Sequence, residues 1–175
     1  HKSCMTTIIW WVRRDLRLSD NPTLHAALES GDVVAPVFII DPRILSSPYI
    51  SQNRLAFLWE GLRQLDAGLR VRGGRLIVRQ GEPVAELTRL REECDATAIC
   101  AEEDCAPYGR CRDAAVGRRL PLRLHAGLTA QPLGIVRKPD GQAFTVFTPF
   151  SRRWRALSLP TRQALLPAPA EWRED

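Results

Sequence analysis

Five short apolar runs, at residues 6–12, 33–40, 76–78, 96–101 and 122–125, recur along the chain, mostly rich in β-branched residues and bounded by turn signals. Runs of this length and composition read as strands. The first two are apolar at successive positions rather than at alternate ones, as in strands covered on both faces, and that is the habit of central strands in a parallel sheet. Parallel neighbours need a crossover between them, and helical patterns fill the gaps. Asp20 or Asn21 can cap the first helix, with Pro22 at its first position and Gly31 as its stop. Leu55, Leu58, Leu62, Leu65 and Leu69 make an apolar stripe that runs into Gly73 and Gly74, the pattern of a core-facing helix. A third helix starts near Pro83 and a fourth covers "YGRCRDAAVGRRL". The expected fold is a doubly wound, Rossmann-like α/β domain: a five-stranded parallel sheet with helices on both faces.

Beyond Gly127 the pattern changes. A turn at Pro139 to Gly141 is expected with a short strand on either side, followed by a helix capped by Thr148 with Pro149 at its first position. Residues 158–175 show no period and read as a linker leading elsewhere. Trp10 and Trp59 read as core and Trp154 as helix packing. Met5 reads as a natural start, so residues 1–4 stay outside the fold argument.

With 175 residues, 45% of them hydrophobic and 26% charged, the chain suits one domain. Its apolar runs fall far short of the roughly 18 residues of a membrane helix, and no signal sequence is evident, so a soluble, monomeric, cytoplasmic protein is expected. The net charge of +5 rests almost wholly on arginines, scattered rather than clustered. They suit a solvated surface and a weak, salt-sensitive contact with DNA. Cys94, Cys100, Cys105 and Cys111 are separated by five, four and five residues, which is not the pairing of a zinc site. Cys94 and Cys100 read instead as small core residues.

Neither G-x-G-x-x-G nor a Walker-type phosphate loop is present, which disfavours dinucleotide-reducing enzymes and P-loop NTPases. His25 and His125 have no identifiable nucleophile partner and read as structural. The informative stretch is "IIWWVRRDLRLSDNPTL". In open parallel sheets ligands bind beyond the carboxyl ends of the strands, where strand order reverses. Arg13, Arg14, Asp15 and Arg17 leave the carboxyl end of the first strand, so they can line such a crevice or hold its loops by charge-assisted hydrogen bonds.

This stretch resembles the opening signature of the DNA photolyase and cryptochrome family. "VFIIDPRIL", "PYGRCRD" and "FTVFTPFSRRW" follow in family order, so the resemblance covers nearly all of residues 6–157. It implies an amino-terminal photolyase-related α/β domain over residues 5–157, which in many members holds a light-harvesting antenna chromophore. A larger helical domain, carrying FAD and reaching UV-damaged DNA, would follow the linker and is not represented here. It implies no catalytic residue and no metal in this chain, and no dimer repair or FAD binding by the chain alone. The full-length protein would be a deoxyribodipyrimidine photolyase; a cryptochrome photoreceptor or a free-standing nucleotide-binding module are the alternatives. Folate-antenna members carry Asn-Glu where this chain has Tyr108 and Gly109, so the resemblance implies a deazaflavin or FMN chromophore rather than a folate. The implied crevice takes Arg13 from the first strand, Ile40, Asp41 and Arg43 from the second and its loop, Arg54, and Asp104, Tyr108, Gly109 and Arg110 after the fourth. Ala106 departs from a glutamate often found there.

Overall fold

Successive side chains of a strand point to opposite faces, and in the computed structural model, which describes residues 5–48, 50–159 and 165–172, both faces of the first strand are covered. Strand β1 (Thr7–Val12) is followed by α1 (Pro22–Ser30), β2 (Val33–Ile40), α2 (Pro42–Leu45), α3 (Gln52–Arg70), β3 (Ile77–Gln80), α4 (Pro83–Glu93), β4 (Ala96–Glu102), α5 (Pro107–Gly117), β5 (Leu122–His125) and α6 (Phe147–Arg155). The strands are all parallel in the order β3-β2-β1-β4-β5. The chain builds outwards from β1 through β2 and β3, then returns to the other side of β1, so strand order reverses between β1 and β4. This is the doubly wound fold expected.

Ile8, Trp10 and Val12 pack with Leu24 and Ala27 of α1 and with Leu62, Leu65 and Leu69 of α3. Ile9 and Trp11 face the opposite layer, with Leu87 and Leu90 of α4 and Val116 of α5. Each of these leucine, isoleucine and valine side chains contributes about 1.5–3 kcal/mol on full burial. Cys100 lies in the first layer and Cys94 packs against the second. Asn21, not Asp20, caps α1: its Oδ1 accepts from the Leu24 N–H at 2.9 Å. Asp20 instead adopts a left-handed conformation, φ 51°.

Four expectations are corrected. Trp59 is 41% exposed rather than core, because one residue beyond Leu58 on a helix lies about 100° around the axis from the buried stripe. No strands flank Pro139 to Gly141 among the described residues; the turn itself forms, with Gly141 N–H donating to Lys138 O at 2.9 Å. Helix α6 begins at Phe147 with Val146 before it, which leaves Pro149 in the first turn, where a missing N–H costs no helical bond.

The fourth correction concerns the expected linker. Residues 165–172 lie along the domain as a strap. Asp20 N–H donates to Leu166 O at 2.7 Å, His25 Nε2 contacts Pro167 O at 2.7 Å, and Arg72 Nε donates to Pro169 O at 2.7 Å. The strap ends in Trp172, 6% exposed, whose Nε1–H donates to Val34 O at 2.9 Å and whose ring centroid stands 6.3 Å from that of Trp10. Room for this indole exists because α3 is followed by Gly73, in a left-handed turn at φ 89°, and Gly74, where a Cβ would come 2.6 Å from the indole.

Candidate functional site

The charged stretch after β1 pairs its arginines with carboxylates, and Arg13 turns inwards. Arg13, with a side chain 4% exposed, bonds Asp113 of α5 and lies over the Trp11 ring, its Cζ 4.7 Å from the centroid. Arg112 lies over the same ring at 5.0 Å and reaches Asp113 at 3.2 Å and Asp104 at 3.6 Å. Arg14 donates to Asp104 at 3.0 Å. Arg17 clasps Asp15 through Nε and Nη2 at 2.8–2.9 Å. Burial, reinforced by Arg112, pulls the Arg13 guanidinium below its ordinary pKa, and Asp113 opposes the shift. Arg13 therefore ties β1 to α5 and Arg14 ties the first loop to the segment before α5, while Arg17 closes that loop on itself.

Beside this network, Glu102 at the end of β4 is 5% exposed and shares a hydrogen bond with Asp15. Burial, and then the Asp15 carboxylate, push the Glu102 carboxyl up to about 7. The folded chain thus keeps a proton that the unfolded chain, with an ordinary value of 4.5, has already released. Protonated Glu102 accordingly stabilises the fold in full below about pH 4.5, and this contribution is lost as pH rises through about 7. Glu102→Gln, neutral throughout, should flatten the dependence of stability on pH across that window. Denaturation curves at several pH values test this; a slope identical to the wild type would refute it.

The residues expected at one crevice separate into three groups. Arg54 and Tyr108 open onto a cavity of about 580 Å³ beyond the carboxyl end of β2, walled by Ile44, Ser47 and Ile50 from the α2 region, Leu55 and Leu58 from α3, and Ala106. Asp41, itself buried, supports it: one carboxylate oxygen caps α2 by accepting from Arg43 N–H at 2.9 Å, and the other accepts from the Tyr108 hydroxyl. Burial first, and then this bond, push the Tyr108 phenol up to about 12, so the cavity wall is a neutral ring. Arg43 is exposed on α2 and Ile40 packs against the α1/α3 layer. Asp104 and Arg110 belong to a second group, lining a groove of about 540 Å³ on the far side of α5 with Leu124 and Leu133. Arg13 and Gly109 are internal. Gly109 lies against the Asp104 carboxylate, which a Cβ there would strike.

Sequence reasoning missed most of the cavity wall. The α3 stripe is one repeating pattern, yet Leu62, Leu65 and Leu69 are buried while Leu55 and Leu58 are half-buried and line the cavity. A stripe that outruns the layer it packs on is the signal that could have found them. Arg112 and Asp113 were in plain view within "PYGRCRD", but nothing local tells which of its arginines turns inwards.

Sheet order and switch point define an α/β domain of the doubly wound class, with a largely aliphatic cavity at the carboxyl ends of its strands. The chain belongs to the DNA photolyase family: the description DNA photolyase matches residues 8–170. It is 43% identical over 149 residues to the deoxyribodipyrimidine photo-lyase of Streptomyces griseus, covering 81% of this chain and 33% of that protein. Among solved structures it resembles a class III photolyase from Agrobacterium tumefaciens, with a TM-score of 0.88 at 28% identity, covering 98% of this chain and 36% of that one. It also resembles an archaeal photolyase from Sulfolobus tokodaii, solved with two FAD molecules and with the implication of a novel light-harvesting cofactor, at a TM-score of 0.79 and 28% identity over 96% of this chain and 38% of that one. The chain thus spans between a third and two fifths of these proteins. No helix among the described residues is long and apolar enough to cross a membrane.

Proposed function

We propose that this chain is the amino-terminal light-harvesting domain of a deoxyribodipyrimidine photolyase, and that the cavity between α2, α3 and α5 takes a planar antenna chromophore of deazaflavin or FMN type. The carrying observation is the wall chemistry: aliphatic side chains of Ile44, Ile50, Leu55 and Leu58, a neutral Tyr108 ring, and Arg54 at the edge. Flat apolar faces need such a slot, and a few polar edge atoms need a fixed donor. The Sulfolobus tokodaii structure holds two FAD molecules, and a flavin ring suits the same chemistry. When bound, such a chromophore absorbs light and passes the excitation to a flavin. The chain's own residues hold and orient it: Leu55, Leu58 and Tyr108 enclose the rings, Arg54 donates at an edge, and Asp41 fixes the Tyr108 hydroxyl.

FAD binding, contact with UV-damaged DNA and repair of cyclobutane dimers are assigned to a further, helical part of the protein, and the domain is read as a cytoplasmic monomer. A cryptochrome photoreceptor shares this domain architecture and remains the second reading.

The test is titration of the chain with a deazaflavin, FMN and a reduced folate, followed by fluorescence. Deazaflavin or FMN should bind more tightly than folate. Arg54→Ala should weaken that binding by about tenfold, as loss of one charge-assisted hydrogen bond implies. Folate binding tightest, or no effect of Arg54→Ala, overturns the assignment.

A further inference from the structure

The ring of Tyr108 is held at two places of different mechanical meaning. Its hydroxyl donates to Asp41. That oxygen lies on the axis about which a tyrosine ring turns, so the bond fixes where the ring is without fixing its plane. Rotation about that axis is intrinsically broad and two-fold. What bears on the plane is Arg112, one helical turn further along α5 on the same face, with its Cζ 5.8 Å from the Tyr108 ring centroid. Arg112 is itself immobilised. Its side chain is 9% exposed, it lies 5.0 Å over Trp11, and it is bridged to Asp113 at 3.2 Å and Asp104 at 3.6 Å. The guanidinium is therefore held within cation–π reach of two aromatic rings, one in the core and one at the cavity.

We propose that Arg112 is a positioning residue of the chromophore cavity, setting the plane of the Tyr108 ring and thereby the orientation of a planar chromophore stacked on it. The inference rests on the chromophore reading of that cavity. Orientation is a property separate from affinity here, because transfer of excitation between two chromophores depends on the angle between their transition dipoles. Lysine cannot replace arginine in this role, since a compact ammonium offers neither the flat face nor the fork that two carboxylates hold.

The experiment compares wild type, Arg112→Lys and Tyr108→Phe, with FMN as the probe and time-resolved fluorescence anisotropy as the readout. In wild type, bound FMN should show no rapid depolarisation. In Arg112→Lys its residual anisotropy should fall by at least half while affinity changes only a few-fold, as expected for loss of one cation–π contact. Tyr108→Phe, which keeps the ring on Arg112 and loses only the tether to Asp41, should leave the anisotropy high. Unchanged anisotropy in Arg112→Lys, or an equal fall in Tyr108→Phe, overturns the proposal.

A second readout needs no ligand. The chain has two tyrosines, so in Tyr49→Phe the ring-flip rate of Tyr108 can be followed by NMR without overlap. Flips should be a few-fold slower with Arg112 in place than in Arg112→Lys, as one cation–π contact implies. Equal rates in the two overturn the proposal even if Arg112→Lys proves too unstable to load with FMN. Failure of wild type to bind FMN, with the difference in flip rate retained, would remove the chromophore reading and leave the mechanical role of Arg112 standing.

Discussion

Replacing Trp172 by alanine is expected to lower the free energy of unfolding by about 3–5 kcal/mol, the range for removing a large aromatic side chain from a core. The indole fills the space between β2, the turn after α3 and the Trp10 ring, and Gly74 has no side chain of its own to fill the gap. The loss would be a substantial part of a domain stability of about 5–15 kcal/mol. Trp172→Phe should cost less, on the order of 1–2 kcal/mol, because most of the packing survives while the bond to Val34 O and part of the buried ring are lost. Urea denaturation followed by circular dichroism measures both. An alanine variant within about 0.5 kcal/mol of wild type, the usual scatter of surface substitutions, would mean that the strap rests on the domain without holding it.

A comparable effect is expected at Asp113. This carboxylate is the shared acceptor of Arg13 and Arg112, whose side chains are 4% and 9% exposed. Asp113→Ala leaves two buried guanidinium groups short of a counter-charge, which typically costs about 3–5 kcal/mol. Adding Arg13→Met to Asp113→Ala should return part of that loss, because an apolar replacement of a buried pair is near neutral whereas a single orphaned charge is not. If the double variant is less stable than Asp113→Ala by the full cost of Arg13→Met alone, the two residues are uncoupled and the pairing contributes nothing to the fold.

The strands and most helices were legible because both signals they rest on are local: unbroken apolarity in β1 and β2, and capping chemistry such as that of Asn21 and Pro22. The strap was not legible. Its leucines and Trp172 have no period of their own and acquire meaning only against a surface built by residues some 100 positions earlier, such as Arg72. The site was half legible for a related reason. Resemblance placed Arg54, Asp41 and Tyr108 correctly near one another, yet it could not tell that Arg13 would be spent on Asp113, nor that Asp104 and Arg110 would open on the far side of α5. Those outcomes depend on which face of a helix meets the sheet.

The position of β1 at the centre of the sheet also sets a schedule during synthesis. One edge of β1 can pair as soon as β2 has been made, but its other edge waits for β4, and Trp10 waits for Trp172. At roughly 5–20 residues per second, the 162 positions between those two tryptophans correspond to about 8–32 s in which the nascent chain carries an open apolar seam. A chain so arranged should depend on chaperone protection during translation more than a fold of the same size whose first strand lies at the edge.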